Sequence, residues 1–391
     1  MTVQMDAPRV AVPDSSLSRG PLSRPGATHI AARIGLWQLA VLAVLAAALT
    51  PSPGRLLFAA ACVLVAAPTA LRLGGRWLDQ WVLVWWRYQR RAGRRFAAPL
   101  DAALPGLTTQ AHTDRSGKQF GLISDGAGWV AVLRLGASPT DRLEYRLPDV
   151  LGELSRAVRT ADIRPAGVQL LAWAVPTPGK AAGSAWRVFW VAVRFDPQTD
   201  PEAADARGGG DAGAQRAAAT AAQRLELQLR ARGVPARVLA EAELRSELSS
   251  SLGVDIVKPG TTGPATASVP STVERWRYWS IGALHHATYR MRSLSSRPAA
   301  LAEVLTSVAQ PPALTTCVSV LFRPARRGGG VPRPQVTVRF AVPAGKGPFA
   351  VRGALRRAGT GLRRQVTPMN GEHFFGVRAT LPIADHLRGT R

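Results

Sequence analysis

The residues best able to do chemistry in this 391-residue chain are six histidines and two cysteines, and their spacing is poor for it. His29, His112, His285, His286, His373 and His386 include no pair at metal-ligand spacing from one another or from a cysteine. His285 and His286 are adjacent. Neighbours point to opposite faces of a strand and diverge by about 100 degrees on a helix, so one ion does not easily take both. Cys317 could serve as a thiol nucleophile with a distant histidine. Its setting, Thr-Thr-Cys-Val-Ser-Val, reads instead as an apolar strand holding an inert thiol. Asp125 has the sequence context of a turn residue. Asp141 and Glu144 have the spacing of a capping box. No spacing selects a carboxylate pair for glycosyl or phosphoryl transfer. Gly117-Lys118-Gln119 lacks the upstream glycine and the following Ser/Thr of a phosphate loop. The expectation is no catalytic residue, no metal and no cofactor.

One group of side chains does have periodic order. Trp77, Trp81, Val84, Trp85 and Tyr88 recur at i, i+4, i+7, i+8 and i+11, the period of one helical face. Arg72, Arg76, Arg87, Arg90 and Arg91 flank them. Trp and Tyr favour the headgroup region of a bilayer, and arginine pairs with anionic lipid. We read Trp77, Trp81, Trp85, Tyr88, Arg72, Arg76, Arg87, Arg90 and Arg91 as a membrane-interface set on a juxtamembrane amphipathic helix over residues 76–95. The competing expectation is that the Trp face packs on a soluble domain or a partner subunit.

The elements that would position this helix lie just before it. Ile34 to Gly54 and Leu56 to Leu71 carry no charged residue, and Arg55 alone separates them beside Thr50-Pro51-Ser52-Pro53-Gly54. At 1.5 Å per residue the first run reaches roughly 30 Å, the thickness of a hydrocarbon core. The second is shorter; snorkelling by Arg55 and Arg72 extends it, and Pro68 is tolerated in lipid. The pattern predicts a transmembrane hairpin over 34–75 after a disordered tail over 1–33. A buried helix pair and a cleaved signal peptide are the alternatives. Arginines crowd both flanks while the intervening loop has one. This places both termini in the cytoplasm, with two spans in the inner membrane.

Lys and Arg total 50 against 25 acids, a net charge of +25. Basicity of that size fits anionic lipid or nucleic acid. Only Lys118, Lys180, Lys258 and Lys346 are lysines, and no basic run is interleaved with aromatics that would stack bases, so no nucleic-acid partner is expected. Two distant cysteines fit a reduced compartment.

The remainder reads as an α+β cytosolic domain in two halves, 107–255 and 271–391, joined by a Pro/Gly/Thr/Ser linker over 256–270. In the first half, strands at Phe120–Ser124 and Trp129–Leu135 flank Asp125-Gly126-Ala127-Gly128. A helix spans Leu147–Thr160. Strands follow at Val168–Val175 and Trp186–Phe195, then a loop over 196–213 containing Gly208-Gly209-Gly210, a helix over Ala214–Arg232, a strand at Ala236–Leu239 and a helix at Glu241–Leu252. The second half offers a strand at Val273–Ile281, a helix at Pro298–Val308, a hairpin of Leu314–Phe322 with Gln335–Val342, a helix at Phe349–Leu362 and a strand at Phe374–Leu381. Element order thus suggests a unit used twice.

The chain resembles the EccE family, a membrane component of the type VII (ESX) secretion system. The resemblance is carried by Arg24-Pro25-Gly26, the double apolar run, Arg72-Leu73-Gly74-Gly75-Arg76-Trp77-Leu78 with Trp81, Trp85 and Arg87-Tyr88-Gln89-Arg90-Arg91, and Asp114-Arg115-Ser116-Gly117 with Gly121, Asp125-Gly126 and Gly128-Trp129. It implies a structural, non-enzymatic subunit acting as a peripheral scaffold around the ATPase-containing channel, beside EccB, the EccC ATPase and EccD. A membrane-anchored transferase with a cytosolic catalytic domain is the alternative.

Overall fold

A computed structural model describes residues 25–50, 52–73, 76–92, 106–114, 116–136, 143–177, 185–253, 272–282, 284–291, 295–308, 313–325, 333–346 and 366–385. The expected tail before Pro25, the linker over 256–270, the Phe349–Leu362 helix, Asp141 and His386 lie outside them. The chain divides into two units, one ending at Gln80 and one beginning at Trp81.

The first unit is a pair of helices, α1 (Pro25–Leu49) and α2 (Pro53–Ala70), followed by a two-rung ribbon of β1 (Arg72–Leu73) and β2 (Arg76–Trp77). α1 begins ahead of the charge-free run, with proline in its first turn, where a missing N–H costs nothing. Ser52 caps α2, and Pro53 opens it. The pair packs through small residues. Ala43 and Ala47 meet Ala59 and Cys62, which lets the backbones approach closely. The Trp37 indole donates to Thr69 Oγ1 at 2.7 Å, and Thr69 in turn donates to the Ala66 carbonyl. The large side chains point outward: Leu42, Leu45, Leu57, Phe58, Leu64 and Val65 are all exposed. α2 is long and apolar enough to cross a membrane; Arg33–Leu49 is a shorter apolar stretch.

The second unit is built on one antiparallel sheet, of twelve strands among the described residues. Its strands are β3 (Thr108–Thr113), β4 (Gln119–Ser124), β5 (Trp129–Leu135), β6 (Gly167–Pro176), β7 (Ala185–Phe195), β8 (Ala236–Val238), β9 (Thr272–Arg275), β10 (Tyr278–Ile281), β11 (Leu284–Met291), β12 (Thr315–Phe322), β13 (Gln335–Pro343) and β14 (Val366–Pro368). The order is β3-β4-β5-β7-β6-β12-β13-β11-β10-β9. It reads the same from either end when β3 to β7 are matched with β9 to β13. β8 pairs β5, and β14 pairs β11, in keeping with that match. The halves meet where β6 pairs β12, from Val168 opposite Phe322 to Ala174 opposite Thr316. They share one sheet.

Helices cover both faces. α4 (Leu147–Thr160), α6 (Gly210–Ala231) and α8 (Pro298–Ser307) bury Leu151, Leu154, Leu225, Leu301 and Leu305 against one face. α7 (Glu241–Ser251) and α9 (His373–Arg378) bury Leu244, Leu248 and Val377 against the other. A strand covered on both sides has no polar face to alternate with. That is why β12 is buried at every position, and why the central strands appear in the sequence as continuous apolar runs.

The structure departs from expectation at five places. Val273–Ile281 is two strands, β9 and β10, turned at Trp276-Arg277 without any Gly, Pro or Asn to announce it. β11 carries His285 and His286, and β3 precedes the first expected strand; both are polar enough to escape an apolar pattern. The loop over 196–213 holds a short helix, α5 (Pro201–Asp205), whose N-cap is Asp200. Its Gly208-Gly209-Gly210 are not spacers. All three have positive φ and carry the chain from α5 into α6, where Gly213 lies so close to the Ala204 carbonyl that a Cβ would clash. Phe374–Leu381, expected as a strand, contains α9, which presses Gly376 onto the Thr288 side chain.

Candidate functional site

α3 (Leu78–Arg91) is the helix that the Trp/Arg periodicity requires, and its residues from Trp81 onward belong to the sheet unit. Val84 is buried. On the same side, Trp81 and Tyr88, one turn before and after it, converge on Trp276 at the tip of the β9–β10 turn. Ring centroids lie 6.1 Å apart for Trp81 and 5.3 Å for Tyr88, the latter edge-on. Trp276 is backed by Gly371, whose φ of +70° suits only glycine and whose added Cβ would sit 2.4 Å from the indole. The Gly371 N–H donates to the Trp276 carbonyl at 2.7 Å.

Arg91 closes the arrangement. Its Nε donates to Glu274 Oε2 at 3.0 Å, its Nη2 donates to the Gly371 carbonyl at 2.8 Å, and its guanidinium lies 4.8 Å from the Phe375 ring centroid. Glu274 Oε1 accepts from the Phe374 N–H at 3.1 Å. Burial raises the Glu274 pKa, opposed by the charge and hydrogen bond of Arg91. The helix is thus clamped by an aromatic wedge and one buried ion pair to the β9–β10 turn and the segment leading into α9.

Trp85 is exposed, and Arg90 lies over the ring of Trp86, 3.4 Å from its centroid. Arg87 is half-buried. Within the first unit, Trp77 receives two cations, Arg33 at 4.9 Å and Arg72 at 5.6 Å, and Arg76 is buried. Arg33 also pairs with Asp79 at 2.7 Å. Sequence reasoning missed Trp276, Glu274, Gly371 and Phe375. Only the Trp-Arg-Tyr-Trp cluster at 276–279 hinted at them.

The residues with chemical potential are occupied structurally. Cys317 is buried and donates to the Thr380 carbonyl at 3.3 Å, and burial pushes its thiol pKa up, away from a reactive thiolate. His285 stacks on Tyr278 with centroids 4.0 Å apart. His286 is buried against Trp279, its pKa driven well below the usual value by burial and by Arg339. His373 Nδ1 accepts from the Thr288 N–H at 3.2 Å, and burial lowers its pKa to about 3. Asp125 accepts from Ala127 N–H at the hairpin turn and pairs with Arg194 at 2.8 Å. Burial alone would raise its pKa, but Arg194 overrides that and lowers it. Glu144 sits in a 3-10 turn and reaches Arg187 at 3.4 Å; Asp141, its expected capping-box partner, lies outside the described residues. Among the described residues, no three His, Cys, Asp or Glu side chains cluster to hold a metal.

Against known families, residues 183–291 match the model described as "Putative type VII ESX secretion system translocon, EccE". The matched region runs from just before β7 to the last residue of β11, so it contains Glu274 and Trp276, while α1, α2 and α3 lie outside it. No curated protein matches the chain. The match supports a component of a type VII secretion translocon.

Proposed function

We propose that this chain is a structural membrane subunit of the type VII secretion complex. It acts as a peripheral scaffold around the ATPase-containing channel, beside EccB, EccC and EccD. Its α1–α2 hairpin crosses the inner membrane twice, leaving both termini and the sheet domain in the cytoplasm. The EccE-family match over 183–291 carries the reading. The hairpin's packing agrees with it: small residues line the seam and large apolar ones face outward, the reverse of a water-soluble helix pair. So does the crowding of arginine at both flanks.

A transferase would need convergent carboxylates in a pocket. A cavity of about 200 Å³ between α4, α6 and the sheet has one carboxylate on its wall, Asp162, and it is paired with Arg224 at 2.8 Å. The test is cross-linking with mass spectrometry on intact native membranes. Links from the sheet domain to other inner-membrane secretion subunits support the scaffold; a domain linked only to itself contradicts it. Thermal-shift screening with nucleotides and divalent ions tests the enzymatic alternative, for which a ligand-specific rise would speak.

A further inference from the structure

α3 has two faces, and the clamp uses one. At 100 degrees per residue, Trp81, Val84, Tyr88 and Arg91 share a side. Val82, Leu83, Trp86, Gln89 and Arg90 form the opposite side, with Trp85 at its edge beside Trp81, and all six are exposed. Trp85 is 52% exposed and Trp86 47%. A helix docked on a domain normally shows water a polar back. Here Val82, Leu83 and Trp86 are apolar, and Trp85 flanks them, a contiguous patch of the kind that marks an interaction surface.

We propose that this outward side of α3 rests on the anionic headgroups of the membrane, so that the residues of α3 divide their labour. Trp81, Tyr88 and Arg91 hold the sheet domain; Val82, Trp85, Trp86 and Arg90 meet lipid. The inference rests on the reading of α1–α2 as a membrane hairpin and adds which side chains touch the bilayer surface. Three observations choose lipid. Indole rings seek the headgroup layer, with an apolar body and a polar N–H. Arg90 lies over Trp86, presenting a cation beside an apolar wedge, and the acidic residue of α3, Asp79, is paired with Arg33. α3 begins eight residues after α2 ends, a tether of at most roughly 28 Å, which keeps it within reach of the headgroup region.

The test uses the full-length chain in native membranes with the photoreactive substitution Trp86→benzoylphenylalanine, and Tyr145→benzoylphenylalanine on an exposed part of the sheet domain as control. Irradiation and mass spectrometry should give phospholipid adducts at position 86, enriched several-fold in anionic over zwitterionic species, and none at 145. A discrete protein adduct at 86, or lipid adducts without anionic enrichment, overturns the proposal. Independently, Trp85→Phe with Trp86→Phe should reduce the share of tryptophan emission quenched by brominated phosphatidylglycerol in nanodiscs; an unchanged share overturns it. Alkaline carbonate extraction of the same membranes separates the two readings. A chain stripped by carbonate defeats the hairpin itself, whereas a retained chain without lipid adducts at 86 defeats only the assignment to α3.

Discussion

Gly371 is a position where a single added methyl group meets two obstacles. It combines a positive φ with an indole at contact distance, so Gly371→Ala should cost about 2–3 kcal/mol through backbone strain and displacement of Trp276. Gly345→Ala, with open space and no positive φ, should stay within about 0.5 kcal/mol. Chemical denaturation of the two variants in detergent compares them. His373 gives the domain a pH dependence of known sign. Its folded pKa of about 3 lies below the unfolded value of 6.5. The unfolded chain therefore binds the extra proton. Stability is present above pH 6.5 and is lost as the pH falls toward 3, at up to about 1.4 kcal/mol per pH unit. His373→Asn keeps an acceptor for the Thr288 N–H but cannot be protonated in this range. It should flatten the slope of melting temperature against pH over that window.

The clamp on α3 is an element-scale device. Arg91→Met leaves Glu274 buried without its cation and should cost about 3 kcal/mol, while Arg91→Met with Glu274→Gln should regain most of it, since a neutral amide needs no counter-charge. Burial already raises the Glu274 pKa, so its protonated form is favoured by folding. The deficit of Arg91→Met alone should therefore shrink as the pH is lowered and Glu274 takes up a proton. Unfolding curves for the three proteins at neutral and mildly acidic pH measure both effects. The elements were legible in the sequence where one force dominated. α4 showed its amphipathic period, and β6, β7, β12 and β13 showed the apolar runs of strands covered on both faces. They were illegible where tertiary contact decided. The β9–β10 turn has no turn residue because Trp276 is held there by Gly371 and α3, and α9 is a short helix fixed by packing on Thr288. The periodicity marked α3 and its aromatic face, but the partner of that face lies almost 200 residues away in sequence, beyond what a local pattern can show.

At the scale of the whole molecule, the chain joins a helix pair with an apolar exterior to a sheet whose two halves repeat one strand order. The sheet is filled by side chains on both faces, and His285, His286, His373 and Cys317 are used in packing and hydrogen bonds. The match of residues 183–291 to a translocon family model supports the proposed role of this body in a secretion complex. The central claim is that this body works as a built-in part of a membrane complex. The measurement that tests it most directly is the mass of the full-length chain, tagged and extracted from its native membrane in mild detergent. The account predicts a particle far heavier than the chain's 41.6 kDa, containing the ATPase and other inner-membrane subunits of a secretion system. A lone chain of that mass in its detergent micelle would contradict it.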